Sequence, residues 1–428
     1  MAKSDGKEFY GLIGGRLGHS YSPEIHAAIA PYAYALRELA PEEVGPFLRA
    51  RQFRGLNVTI PYKQAVIPFL DVVSETARAI GAVNTIVNRG GRLYGDNTDA
   101  AGFAALLRHA GVAVRGKKCL VLGTGGTSRT VAYVLRREGA AAAVKVSRGE
   151  GDGANVVSYG EAVARHHDAA VIVNTTPVGM FPKENAMPIG LEGFLPPAHG
   201  ALEGVLDVVY HPLRTRLVLA AQALGIPAEG GLYMLAAQAV AASALFLDRA
   251  MDPALTEAAF RAVRDRKRNL VLVGMPSSGK STVGRLLAER LGKRFVDTDA
   301  AVVAQAGCSI AEVFAAQGEA AFRALERQAV AKVSQDEGVV VATGGGVVLD
   351  AANVAALKQN GLVVFLDRPP EELVATPDRP LSTSAEAIRR LYDARLPLYR
   401  AAADISVATR GLPPAAVADA ILERSSNP

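Results

Sequence analysis

The stretch GMPSSGKS at residues 274–281 matches G-x-x-x-x-G-K-[ST] and stands between an apolar run, LVLVG, and a helix-like KSTVGRLLAERLG. Each letter answers a need of phosphate chemistry. Gly274 and Gly279 let backbone N–H groups curl around phosphate oxygens at a helix N-terminus. Lys280 supplies positive charge to a transferring phosphoryl group, Ser281 a hydroxyl ligand for Mg2+, and Thr282 a further nucleotide contact. Next comes FVDTD at 295–299, which reads as the end of a strand. A period of two then puts Asp297 and Asp299 on one face. One suits a metal ion, and the other can orient an acceptor hydroxyl. A solvated acidic turn is the other reading of the same letters.

Farther on, GEAAFRALE carries Arg323, ATGGGVV carries Gly344, Gly345 and Gly346, DRPL carries Arg379, and RLPLYR carries Arg395. Two arginines beside a glycine-rich backbone can clamp a carboxylate bidentately. Singly, each is an ordinary helix arginine or turn. In this order the motifs resemble shikimate kinase over about 270–405. The resemblance implies an ATP:shikimate 3-phosphotransferase. Asp297 would be its metal-side carboxylate and Asp299 the group that binds shikimate's hydroxyls. Arg323, Arg395 and the three glycines would hold the substrate carboxylate, and Arg379 would be the lid arginine over the phosphates. The chain departs from the family in a short lid, EELVATPDRPL, with Val374 and Ala375 near the expected arginine. Val302 and Val303 stand where a glutamate often follows the aspartate pair.

The first half has its own chemistry. NVTIPYK (57–63) and GDNTD (95–99) each set polar residues beside apolar strand residues. A lysine that gives a proton to a carbonyl oxygen needs a carboxylate to anchor it, and Lys63 with Asp99 is the candidate pair. Spacing alone is equally satisfied by a surface salt bridge. GTGGTSR (123–129) follows a predicted strand and opens a predicted helix, as a pyrophosphate loop does. Gly123, Gly125 and Gly126 are its close-approach positions, with Ser128 in place of a third glycine; a tight strand-to-helix turn is the alternative. About twenty residues on, where NAD-specific loops carry Asp or Glu, VKVSR offers Ser147 and Arg148, and a cation there suits the 2′-phosphate of NADP.

With GLIGGRLGHSYSPEIH, GAVNT, DVVYHP and GGLYMLAAQA in order, residues 9–247 resemble shikimate dehydrogenase. The resemblance implies hydride transfer from NADPH to the ketone of 3-dehydroshikimate, with Lys63 as acid/base residue and Asp99 as its partner. Ser20 and Ser22 would bind the substrate carboxylate. Asn57, Thr59, Asn84, Asp99 and Gln238 would contact hydroxyls and ketone, Tyr210 would line the pocket, and Gly231 would approach the nicotinamide. Arg16 stands where the family has proline, and VSRGEGD keeps Arg148 but lacks the Asn-Arg-Thr spelling. His19 and His26 read as packing or hydrogen-bonding residues, since Lys63 already supplies the acid. His166 and His167 are adjacent, share no helical face and give no metal-ligand spacing.

The elements that must position these residues follow from periodicity. Strand-like runs alternate with helical ones from residue 8 onward and restart near 117 and again at 270, a rhythm that predicts parallel α/β sheets. The expected architecture is a two-lobed dehydrogenase with a Rossmann-like NADP lobe, followed by a P-loop kinase domain. Residues 1–104 form the substrate lobe, to which the helix at 231–247 returns; 105–225 form the NADP lobe. A helical connector at 249–268 leads to the kinase domain at 269–428.

Composition agrees. In 428 residues, 50% are hydrophobic and 21% charged, which suits compact domains rather than disorder. Lys and Arg number 47 against 42 Asp and Glu, and the one basic run, RDRKR at 264–268, has no interleaved aromatics. That argues against nucleic acid and for anionic small molecules. Cys119 and Cys308 are the only cysteines and do not form a CxxC pair, so a reducing cytoplasm is the expected compartment. The first residues lack an apolar signal core. The longest apolar run, 231–247, is short for a membrane span and contains Gln238 and Ser243. The expected ligands are NADP(H), ATP, Mg2+, 3-dehydroshikimate and shikimate; no membrane or nucleic-acid partner is expected, and oligomeric state is left open. Two rival readings stand beside this one: a catabolic quinate/shikimate dehydrogenase using NAD, and a kinase half reduced to a nucleotide-binding regulatory module.

Overall fold

The computed structural model describes residues 9–18, 20–149, 156–195, 202–374 and 384–426, and Arg379, His19 and most of the predicted lid lie outside the described residues. The chain divides into two compact units, 1–264 and 265–428.

The first unit contains two sheets. Strands β1 (Tyr10–Gly14), β2 (Tyr34–Glu38), β3 (Gly55–Val58), β4 (Val72–Val73), β5 (Thr85–Arg89) and β6 (Arg92–Asp96) pair in the order β2-β1-β3-β5-β6-β4. The β2-β1-β3 part is parallel, whereas β5 runs antiparallel to both β3 and β6. The turn between β5 and β6 is Gly90–Gly91, both at positive φ, where a side chain would strain the backbone. The second sheet is wholly parallel. It comprises β7 (Lys118–Leu122), β8 (Ala142–Ser147), β9 (Val156–Ser158), β10 (Val171–Asn174), β11 (Gly204–Asp207) and β12 (Ala228–Glu229), ordered β12-β11-β10-β7-β8-β9. Its central strands are buried throughout except for Lys118 at the start of β7, as strands covered on both faces must be. Strand order reverses between β7 and β10, which opens a crevice at their carboxyl ends. There the buried Asp207 accepts from Asn174 Nδ2 (3.0 Å), Val209 N (2.9 Å) and Thr215 Oγ1 (2.8 Å) and fastens β10 to β11. Burial pushes its carboxyl up to about 7 against the pull of these donors.

Helix Leu232–Phe246 buries twelve of its fifteen residues, which explains an apolar sequence with no polar face. Its residues Leu232, Ala236, Ala239 and Val240 share a core with Tyr21, Ile25 and Ile29 of helix Ser22–Ile29 and its approach, and with Ala259, Phe260 and Val263 of helix Pro253–Lys267. It also lies close against helix Asp99–His109, because Gly102 has no Cβ; one would stand 2.7 Å from Met234 O. Each fully buried aliphatic side chain contributes roughly 1.5–3 kcal/mol.

The second unit has one parallel sheet: β13 (Asn269–Val273), β14 (Arg294–Asp297), β15 (Val339–Ala342), β16 (Gly361–Asp367) and β17 (Ile405–Ala408), in the order β14-β15-β13-β16-β17. β13 is central, and its carboxyl end lies where the winding changes direction, so the loop after it opens into the crevice. Among the described residues no single helix is long and apolar enough to cross a membrane. Cys119 is buried in β7, and burial pushes its thiol up to about 12, so it packs rather than reacts.

Candidate functional sites

In the first unit, Lys63 Nζ donates to Asp99 Oδ2 at 2.6 Å, and both side chains are largely buried. Asp99 begins helix Asp99–His109, where the helix dipole favours a carboxylate. Its second oxygen accepts from Asn84 Nδ2 at 2.8 Å. The Asn84 amide is itself fixed, because its Oδ1 accepts from Thr98 N at 2.7 Å and from the hydroxyls of Thr98 and Thr85. Gln238 Oε1 accepts a long bond of 3.5 Å from Asn84 Nδ2. Asn57 on β3 joins through Thr85 Oγ1 (3.2 Å) and accepts from Tyr34 OH (2.8 Å). The Lys63 carbonyl accepts from Val83 N at 2.7 Å, tying the lysine's loop to the segment that leads into β5. The result is an ammonium at a cleft, oriented by a carboxylate whose two oxygens are both engaged. Such a group can give up a proton and take one back.

The glycine loop follows β7. Gly123 has φ +108°, and helix Gly126–Arg137 begins at Gly125 without a side-chain cap. A Cβ added at Gly125 or Gly126 would meet open space, so the start of this helix is open beside its backbone. Ser147 ends β8, its Oγ accepting from Gly149 N at 3.3 Å, and Arg148 beside it is exposed.

In the second unit the phosphate loop joins β13 to helix Lys280–Leu291, with Gly274 and Gly279 at positive φ. Lys280 is buried, its Nζ donating to the Gly274 (2.9 Å) and Met275 (2.7 Å) carbonyls. Ser281 Oγ donates to Asp297 Oδ2 at 2.7 Å. The expectation that Asp297 and Asp299 share a strand face is corrected here. β14 stops at Asp297, which caps helix Thr298–Ala306 by accepting from Asp299 N (3.0 Å) and Ala300 N (3.3 Å). Asp299 therefore sits in the first helical turn. A Cβ on Gly344 would stand 2.5 Å from Asp299 Oδ1, and one on Gly346 would strike the Arg323 guanidinium. Arg395 is buried and donates to Gly345 O at 3.0 Å. Asp299, Arg323, Arg395 and the three glycines thus converge on one pocket wall.

The chain is 42% identical to the shikimate dehydrogenase (NADP(+)) of Salinibacter ruber across 279 aligned residues, covering 59% of this chain and 96% of the relative. It is 34% identical to that of Clostridium perfringens, covering 60% of this chain and 99% of the relative. The chain belongs to the shikimate dehydrogenase family. The model of the shikimate dehydrogenase substrate binding domain matches residues 12–86, and that of shikimate kinase matches 276–426. Among solved structures, a chorismate mutase/shikimate 5-dehydrogenase fusion protein from Clostridium acetobutylicum is 34% identical (TM-score 0.56), covering 60% of this chain and 98% of that one. The shikimate 5-dehydrogenase of Thermus thermophilus, solved in complex with NADP(H) and shikimate, is 34% identical (TM-score 0.51), covering 60% of this chain and 99% of that one.

The remaining dehydrogenase candidates are held by local contacts of their own. Ser20 Oγ accepts from Ser22 N at 3.3 Å at the start of helix Ser22–Ile29, and Ser22 is buried. Thr59 donates its N–H to Ile13 O at 2.9 Å, and the Tyr210 ring packs on Tyr21 with centroids 5.1 Å apart. Gly231 begins helix Leu232–Phe246, and a Cβ there would collide with the Val208 carbonyl, so its own backbone already demands glycine. His26 is a packing residue: its ring stacks on Tyr34 at 3.8 Å and its Nδ1 meets Tyr32 OH at 2.8 Å.

Several site residues escaped the sequence reading. Thr85 and Thr98 lock Asn84, and Tyr34 orients Asn57. In the shikimate kinase-like unit, Glu326 is 1% exposed and its Oε2 accepts from Arg323 Nη1 at 2.8 Å. Burial raises its pKa against the pull of Arg323. Tyr399 donates to Gly345 O at 2.5 Å, and Thr298 Oγ1 accepts from Gly344 N at 3.0 Å. The i, i+3 spacing of Arg323 and Glu326 on one helix was the available signal.

Proposed function

We propose that the chain reduces 3-dehydroshikimate to shikimate with NADPH and then phosphorylates shikimate with ATP. The Lys63–Asp99 pair, at 2.6 Å in a largely buried cleft, is the observation that carries the reading. The lobes of this reading are 1–104 with the returning helix, 105–225 for the cofactor and 269–428 for the kinase.

NADPH, when bound, supplies the hydride; Gly123, Gly125, Gly126, Ser147, Arg148 and Gly231 are the residues that would hold it. Lys63 gives a proton to the substrate oxygen as that oxygen becomes an alcohol, and Asp99 keeps the ammonium aimed. Ser20, Ser22, Asn57, Thr59, Asn84, Tyr210 and Gln238 bind the substrate's carboxylate and hydroxyls and shape its pocket.

In the kinase unit, Ser281 and Asp297 offer hard oxygen donors of the kind Mg2+ prefers, with phosphate and water completing its shell. Asp299 accepts the proton of the attacking hydroxyl. Lys280 and the loop N–H groups, with Thr282, offset charge on the phosphates, a role shared by Arg379 in the lid. Arg323, Arg395 and Gly344–Gly346 hold the substrate carboxylate. Such a chain works in the cytoplasm on small anionic metabolites.

The test is to give the purified protein Mg-ATP and shikimate and follow ADP release, with Lys280→Ala as control, alongside NADPH oxidation by 3-dehydroshikimate. Shikimate-dependent ADP that vanishes in the control is expected. NADPH oxidation without any ADP release would refute the kinase half.

A further inference from the structure

The loop between β13 and helix Lys280–Leu291 contains a residue whose backbone does not suit its side chain. Ser278 N donates to Met275 O at 3.2 Å, closing a turn in which Pro276 and Ser277 are the central residues. Ser277 has φ +64°, in the left-handed region. A turn with proline second and a left-handed residue third calls for glycine or asparagine there, because a Cβ crowds the backbone. Serine holds the position under strain, and such strain persists only where the surroundings fix the conformation. Two contacts fix it here. On one side, a Cβ on Gly345 would stand 2.6 Å from Pro276 Cδ, so the proline rests against the glycine triplet, and its ring leaves φ no freedom. On the other, Ser277 Oγ donates to Val374 O at 3.0 Å, across 97 residues of chain.

The accepting carbonyl is well anchored. Leu373, next to it, is buried in the same core as Met275 of the loop, and the Glu372 carboxylate accepts from Gly411 N at 3.2 Å. The shape of the turn matters to a ligand, since backbone N–H groups around a left-handed residue converge into a concavity that takes anions. If Ser277 relaxed to negative φ, those N–H groups would turn apart, and Pro276, its φ fixed, could not compensate. We propose that Ser277 is a positioning residue for the nucleotide: its hydroxyl, held by the Val374 carbonyl, keeps the phosphate loop in the form that receives the phosphates. The segment after β16 thereby contributes to nucleotide affinity from outside the loop, through a carbonyl rather than a side chain. The inference rests on the kinase reading above.

The test measures Mg-ADP binding to the full chain by calorimetry in the parent, Ser277→Gly and Ser277→Ala, together with the KM values for ATP and shikimate. Glycine adopts the turn without strain but loses the hydrogen bond; alanine keeps the strain and loses the bond as well. Ser277→Gly is expected to weaken Mg-ADP about threefold to tenfold, the worth of one neutral hydrogen bond, and Ser277→Ala to weaken it further. The KM for ATP should rise in parallel while the KM for shikimate is unchanged, which a general loosening of the unit would not allow. Mg-ADP affinity in Ser277→Gly equal to or above the parent's overturns the proposal, because the turn alone then suffices; an equal rise in both KM values overturns it as well. A parent that binds no Mg-ADP would instead remove the kinase reading itself.

Discussion

The Oδ1 of Asp297 accepts the backbone N–H of Asp299 at 3.0 Å, so the first carboxylate of the pair orients the residue that carries the second. The other oxygen of Asp297 accepts the Ser281 hydroxyl at 2.7 Å, which links the phosphate loop to the acceptor side through one side chain. The two acids are therefore not interchangeable. Asp297→Ala should cost about 1 kcal/mol of stability through the lost cap and raise the Mg2+ needed for half-maximal ADP release at least about tenfold. Asp299→Asn should leave the Mg2+ requirement alone and lower kcat by about 10²–10⁴. Magnesium titrations that shift equally in the two variants would sink this division of labour.

Lys63→Met should lower kcat for 3-dehydroshikimate reduction by about 10²–10⁴ while NADPH binding, followed by its fluorescence, is retained. Asn84→Ala, which frees one Asp99 oxygen, should give a smaller loss in the same direction. Full activity in Lys63→Met would assign the proton to another donor.

Burial holds the His26 imidazole neutral, lowering its pKa from 6.5 to about 3. Between those values the unfolded chain binds a proton that the folded chain refuses. The contribution is whole above pH 6.5 and is lost as pH falls, at up to about 1.4 kcal/mol per pH unit. His26→Phe keeps a ring to stack on Tyr34 and removes the titration. Urea unfolding at pH 7.5 and 5.5 should show a steeper acid loss in the parent than in His26→Phe; equal slopes would contradict a neutral buried histidine.

Glu326 holds Arg323 through one oxygen, while its Oε1 is buried without a hydrogen-bond partner. Glu326→Gln should loosen the arginine and raise the KM for shikimate about tenfold, equivalent to about 1.4 kcal/mol, with the KM for ATP unchanged. A variant with unaltered shikimate KM would reduce Glu326 to a packing role.

Much of the fold was legible because its strands are short apolar runs broken by glycine turns, as at Gly123 and Gly274. The phosphate loop was legible because its letters and its strand-to-helix context coincide. The aspartate pair was misread: Asp is a strong N-cap, and Asp297 ends the strand by capping the helix, so strand periodicity does not reach Asp299. Lys63 and Asp99 were visible as candidates, but 36 residues separate them, and nothing local shows that Asn84, Thr85 and Thr98 lock the carboxylate.

Helix Leu232–Phe246 completes a core begun by helix Ser22–Ile29, yet the whole second sheet is encoded between them. During synthesis at about 5–20 residues per second, the interval is roughly 10–40 seconds. Ile25 and Ile29 wait through it without their cover, and the bare backbone at Gly102 through the later part of it. The finished enzyme shields this surface well, so its period of greatest exposure to aggregation and to chaperones falls on the ribosome, before any metabolite is met.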